Sequence, residues 1–269
     1  MLKRLCFLIL IVLKINDVFA FIHIHPGKNS AQSMLPVGVN TSSEIDEAYF
    51  TSKVFEVYNL YFQDMKNEGR KFKIFLDWKN PYFSAWSSFK ENSYYINFWG
   101  GMARIPGVLY ETWDFIACHE VGHVLGQYPR IALEHLDWAT SEAQSDHFAT
   151  SECLPRLYKR NLEALTDDIF AKAMPYEIEA CLDQYPSEKN QKLCLKILRA
   201  GRGFVALLKH LNFTDGNISY ETPAKKTQML IDKSYPSAQC RLDIFFRGAM
   251  CLKKEVCPRN NCWYLSSGP

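Results

Sequence analysis

His119-Glu120-Val121-Gly122-His123 is the segment whose residue types and spacing could do chemistry. On a helix, imidazoles four residues apart stand one turn apart on the same face, where both can reach one Zn²⁺. Hydrolytic zinc sites take three protein ligands and keep a fourth position for water. A carboxylate beside the first histidine can take the proton of that water as it attacks a carbonyl, then pass it to a leaving amine. His119 and His123 are therefore the expected ligands of one catalytic Zn²⁺, with Glu120 as the expected general base.

The third ligand has two possible origins. In one pattern, HExxHxxGxxH/D, a glycine permits a turn and a ligand follows three residues later. Gly126 fits that pattern, but Pro129 occupies the ligand position and has no ligating side chain. The other origin is a second helix. Ser141-Glu142-Ala143-Gln144-Ser145-Asp146 places two carboxylates four residues apart on one helical face. Glu142 is then the third ligand, and Asp146 accepts a hydrogen bond from the non-ligating nitrogen of His119. Alone, the two would read as a solvated face; beside HExxH, the ligand reading is preferred. His147 competes, but it faces substantially away from Glu142. His135 could line the cleft, and a surface role is the expectation for both histidines. A donor to the developing oxyanion is also needed. Tyr158, Tyr176 and Arg241 are the candidates, although Arg241-Leu242-Asp243 reads equally as an internal ion pair or a solvated face.

The elements that position these groups follow from periodicity. Apolar residues from Ala48 to Tyr61 predict a helix beginning near Glu44, capped by Ser42 or Ser43 and ending before Gly69. Alternation predicts strands over Phe72 to Trp78, Phe83 to Phe89 and Ser93 to Trp99. The last is expected to be the substrate edge, holding an extended peptide through its main chain, with Tyr95, Asn97 and Gly101 as contacts. Core packing is the competing fate of its aromatic residues. The HExxH helix is expected from about Glu111 through Leu125, capped by Thr112 or Asp114 and closed by Gly126. A helix over about 141–160 should kink or split at Pro155. Further helices are expected near 162–174, 176–183, 188–212 and 238–252. The fold class is α+β and zincin-like: a small N-terminal mixed sheet with an edge strand, the HExxH helix, and a mainly helical C-terminal part.

Met1-Leu2-Lys3-Arg4, the apolar run from Leu5 to Leu13 and Val18-Phe19-Ala20 read as a secretory signal peptide cut after Ala20. Residues 21–42 read as a flexible arm or short propeptide, and 43–269 as one catalytic domain. Eight of the nine cysteines lie beyond the signal. An even set in an exported chain predicts disulfides, with Cys181–Cys194 and Cys118–Cys153 as plausible local pairs. A formal net charge of +2 across 269 residues carries no electrostatic argument for nucleic acid or an anionic membrane. Localisation is expected to be secreted or periplasmic, with a peptide or protein as substrate. Asn40, Asn212 and Asn217 stand in N-x-Ser/Thr contexts.

Cys118-His119-Glu120-Val121-Gly122-His123-Val124-Leu125-Gly126, joined to Glu142-Ala143-Gln144-Ser145-Asp146-His147-Phe148-Ala149-Thr150, resembles the gluzincins. The style is nearest to the Ste24-like and HtpX-like metallopeptidases, although this chain lacks their membrane spans. The resemblance implies ligation by His119, His123 and Glu142, Glu120 as base, and Asp146 supporting a histidine. Gly100-Gly101-Met102-Ala103-Arg104 and Gln239-Cys240-Arg241-Leu242-Asp243 look similar to segments of exported bacterial relatives. Two functions follow: a zinc metalloendopeptidase, or a zinc-stabilised domain that grips a peptide without cutting it.

Overall fold

Alternating side chains build a four-stranded sheet whose role is to brace one face of the zinc-motif helix. The computed structural model describes residues 19–22, 34–39, 41–67, 69–133, 136–160, 168–214, 216–252 and 257–264. The strands are β1 (Phe19–Ile22), β2 (Phe72–Asp77), β3 (Ala85–Lys90) and β4 (Ser93–Trp99), in spatial order β1-β3-β4-β2. The sheet is mixed: β2 runs parallel to β4, whereas β3 runs antiparallel to both β4 and β1. Phe72, Ile74 and Leu76 turn toward the core while Lys73 and Phe75 point outward, as the period of two requires.

This order moves the expected substrate edge. β4 is interior, with its main chain used by β2 on one side and β3 on the other, so an added peptide finds no free ladder there. Tyr95 lies on the outer face, its hydroxyl 3.1 Å from Lys73 Nζ and its ring stacked on Phe75. Asn97 sits in register between Phe75 and Trp86. Gly101 is buried in the short helix α2 (Gly100–Ala103), where an added Cβ would lie 2.1 Å from the Pro81 carbonyl oxygen. That glycine serves close packing. Arg104 completes the same latch, donating to the carbonyl oxygens of Leu35, Trp78 and Asn80.

Helix α1 (Glu47–Asn67) and the zinc-motif helix α3 (Tyr110–Leu125) pack together in the main core. Residues 111–124 of α3 are buried throughout, so its apolar positions form no single stripe. Its start differs from the expected caps. The first turn opens at Tyr110, whose N–H is accepted by Glu44 Oε2 at 3.1 Å. Thr112 instead donates to the Ala200 carbonyl, and Asp114 accepts from Tyr49. A distant carboxylate thus supplies the cap that local residues do not.

The expected split in the second motif helix occurs, and it begins before the proline. Helix α4 (Glu142–Phe148) widens into a π-turn (Ala149–Cys153) and continues as α5 (Leu154–Arg160). Pro155 has no N–H to donate and its ring crowds the preceding turn, so a wider turn keeps the chain helical. Helices α6 (Asp168–Lys172), α7 (Pro175–Gln184), α8 (Glu188–His210) and α9 (Ala238–Ala249) complete the described fold. Helix α6 falls within the helix expected near 162–174, whose first residues, in the segment 161–167, lie outside the described residues, as do His135, Asn40 and residues 1–18 and 23–33 of the expected signal and arm. Residues 34–39 are tied down: Leu35 N–H donates to the Pro81 carbonyl at 2.8 Å.

Disulfides join Cys118 to Cys153 and Cys181 to Cys194, the two local pairs expected, and also Cys240 to Cys262 and Cys251 to Cys257. The first ties the zinc-motif helix to the far end of the π-turn. Among the described residues, no helix is long and apolar enough to cross a membrane.

Candidate metal centre

Helix α3 holds His119 and His123 one turn apart, and α4 crosses it closely enough to bring a carboxylate to both. The crossing depends on Gly122. A Cβ there would lie 2.6 Å from Ser145 Oγ and 3.1 Å from Phe148 Cδ1. Ser145 Oγ, on the facing side of α4, donates to the His119 carbonyl and staples the helices at that point. Glu142, one turn earlier on α4, then places Oε2 3.4 Å from His119 Nε2 and Oε1 3.6 Å from His123 Nε2.

These spacings fit zinc. Ligand bonds of about 2.0–2.1 Å at tetrahedral angles separate donor atoms by about 3.4 Å. The atoms are otherwise unspent: His119 Nε2, His123 Nε2, Glu142 Oε2 and Glu120 Oε1 are all buried without a hydrogen-bond partner. Buried polar atoms left without partners cost free energy, and a cation among them removes that cost. Among the described residues, His119, Glu120 and His123 offer ligand atoms that all lie within 4.8 Å of one another. The group is a zincin-type HExxH metal-binding motif, buried and preorganised.

The remaining nitrogen of each histidine is oriented. His119 Nδ1 lies 2.8 Å from Asp146 Oδ1, and His123 Nδ1 lies 2.8 Å from the Thr140 carbonyl oxygen. Both arrangements leave Nε2 for the metal. Asp146 is in turn gripped by Arg241 of α9, with Nε 2.6 Å from Oδ2 and Nη2 2.7 Å from Oδ1. Burial opposes ionisation of Asp146, yet Arg241 and His119 outweigh it and hold the carboxyl down to about 2. Burial likewise opposes protonation of His119, but Asp146 and Glu142 raise it to about 9. His123, for which burial dominates, falls to about 4. Glu120 is pushed up to about 8, chiefly by burial. Its Oε2 accepts from Ser87 Oγ of β3 at 2.9 Å, while Oε1 is buried without a hydrogen-bond partner.

No family model matches the chain, and no curated protein or solved structure matches it. The motif and its setting therefore carry the reading: a small N-terminal sheet, the HExxH helix and a helical C-terminal part, arranged as in a zincin-like fold.

The three expected oxyanion donors are not where that role needs them. Arg241 commits its guanidinium to Asp146 and approaches Glu142 only to 3.8 Å, so it is the internal ion pair rather than a free donor. Tyr158 lies in a separate cavity with Tyr49, Asp114 and Lys196. Tyr176 stacks near Phe246, beside the turn carrying Tyr220. His147 is buried beside Trp263 rather than at the surface, and is no ligand of the group described above. Sequence reasoning missed two residues that the site uses. Ser87 sits in an ordinary strand, and Tyr235 lies in the irregular segment before α9. The Tyr235 ring lies 5.7 Å from Arg241 Cζ, and burial together with the nearby Glu142 carboxylate raises the pKa of its phenol. Neither residue belongs to a motif, and no periodicity marks them.

Proposed function

We propose that this protein is an exported zinc metalloendopeptidase of gluzincin type, akin to the HtpX-like branch, although among the described residues no helix is long and apolar enough to cross a membrane. The observation that carries the reading is the convergence of three unpartnered ligand atoms beside a carboxylate anchored only through its other oxygen. Zinc, held by His119, His123 and Glu142, would supply a Lewis acid that polarises a carbonyl and lowers the pKa of water.

The chain's own residues do the rest. Ser87 holds Oε2 of Glu120, so that Oε1 is the oxygen that accepts the proton of an attacking water. The same oxygen then returns the proton to the leaving amine nitrogen. In the metal-free chain burial raises the Glu120 carboxyl, which favours proton uptake, and a cation at the neighbouring imidazoles would favour the ionised base. Asp146 and Arg241 keep His119 turned correctly, and the Thr140 carbonyl does so for His123.

A peptide fits this site better than a compact substrate because of β3. Its outer side carries an extended antiparallel segment of the chain itself, with Ala20 opposite Ser87, the residue that touches Glu120. Signal cleavage after Ala20 would remove half of that segment and open the ladder to a substrate strand. The substrate edge is thus assigned to β3.

A diverse peptide library incubated with the zinc-loaded processed protein, with Glu120→Gln alongside, tests the function. Cuts made by the intact protein, reduced about 10²–10⁴-fold in rate by the substitution at equal zinc content, are expected. A folded, zinc-bound protein that cuts nothing would replace the peptidase with a peptide-gripping domain.

A further inference from the structure

Helices α1, α3, α5, α6 and α8 enclose a cavity of about 410 Å³ beside the first turns of α3. That volume suits a small molecule. None of the metal-centre residues lines it, and Tyr110, Lys172 and Asp168 leave its rim open to solvent. Its walls carry charges of both signs, and most are matched within the chain. Lys53 Nζ lies 2.6 Å from Glu56 Oε2, Lys172 Nζ lies 2.7 Å from Asp168 Oδ2, and Arg199 is held between Glu111 and Glu44.

Asp114 and Lys196 are left over, lining the cavity from α3 and α8. Asp114 is 1% exposed, and its Oδ1 accepts from the Tyr49 hydroxyl at 2.8 Å. Among the described residues it forms no ion pair, and Lys53 and Lys196 act on it only through the field of their charges. Burial raises its carboxyl to about 6, which leaves it mostly ionised at neutral pH. Lys196 Nζ stands 4.6 Å from the centroid of the Tyr158 ring and approaches Glu111 Oε1 only to 3.8 Å. The Tyr158 hydroxyl is buried without a hydrogen-bond partner. Burial, with the neighbouring Asp114 carboxylate, raises that phenol well above its ordinary value and keeps it a donor.

Buried polar groups cost free energy while unpartnered, so this carboxylate, ammonium and phenol are a set that a ligand would complete. A lone cation would serve Asp114 and leave Lys196 unmatched, and a lone anion would do the reverse. A zwitterion serves both. Leu157 and Ile169, both buried, add an apolar wall. We propose that this cavity binds a free amino acid with an apolar side chain. Its ammonium group meets Asp114, its carboxylate meets Lys196 and the Tyr158 hydroxyl, and its side chain lies against Leu157 and Ile169. The assignment stands apart from the peptidase reading, since neither zinc nor Glu120 takes part. Helix α3 then carries two sites, with Asp114 near its start and His119 and His123 near its end.

The test titrates L-leucine into the whole processed chain by calorimetry, beside two analogues that each lack one charge, 4-methylpentanoate and 3-methylbutylamine. Leucine should bind, and each analogue should bind at least about tenfold more weakly, the scale of one lost charged hydrogen bond. Asp114→Asn should weaken leucine about tenfold without weakening 4-methylpentanoate. Lys196→Met should weaken leucine to the same degree without weakening 3-methylbutylamine. Zinc affinity, read by chelator competition, should match the parent in both variants. A merely structural role for either residue would weaken leucine and both analogues alike. That result would overturn the assignment, as would a parent that binds no leucine at millimolar concentration or binds the analogues as tightly as leucine. The analogue comparison needs only the parent, so it decides the question even where a variant fails to fold.

Discussion

Replacing Gly122 by alanine tests whether the close crossing of α3 and α4 is what brings the third ligand to the histidines. The new Cβ would stand 2.6 Å from Ser145 Oγ, so restoring an ordinary contact of 3.4 Å moves α4 by about 0.8 Å. Metal–ligand distances tolerate about 0.2 Å, and Glu142 travels with α4. Zinc affinity should therefore fall about 10–100-fold, the scale seen when ligand orientation is lost. Stability should change less. Alanine improves helix propensity by about 1 kcal/mol, and overpacking costs about 1–3 kcal/mol, leaving a folded protein. Competition with a chromophoric chelator reads the affinity, and urea unfolding of the metal-free protein reads the stability. Adding Ser145→Ala removes the nearest clashing atom and should recover part of the lost affinity, with Ser145→Ala alone completing the cycle. Zinc binding by Gly122→Ala equal to that of the parent would refute the reasoning, because the packing would then not set the position of Glu142.

Arg241→Met leaves Asp146 buried with only His119 as partner. It should cost about 3–5 kcal/mol in urea unfolding of the metal-free protein, and an unchanged midpoint would contradict the buried-pair account. Zinc must displace the proton that Asp146 and Glu142 hold on His119. Apparent zinc affinity should therefore rise about tenfold per pH unit from 7 to 8.5 and flatten above about 9, and a flat chelator-competition profile would remove this prediction. The same proton stabilises the metal-free fold. The His119 value lies above the unfolded 6.5, so its contribution is complete below about 6.5 and is lost as pH rises through about 9. The metal-free melting temperature should fall across that window.

The chemistry was legible in the sequence because helical periodicity is local. Residues four apart share a face wherever the helix lies, so HExxH and Glu142-to-Asp146 announced which side chains would converge before any contact was known. The strand positions and the Cys118–Cys153 and Cys181–Cys194 pairs were legible for similar reasons of pattern and proximity. What the sequence could not order was the sheet. Alternation makes Ser93–Trp99 a strand, but whether it lies inside or at an edge depends on pairing between segments far apart in the chain, and pairing on both sides left this strand, with Tyr95 and Asn97, inside the sheet. Long-range packing also decided the polar groups. Arg241 meets Asp146 across 95 residues, Glu44 caps a helix 66 residues later, and Tyr235 comes beside Arg241 from an irregular segment. A side chain's role depends on which buried partner still needs a hydrogen bond, and only the folded chain decides which partners meet.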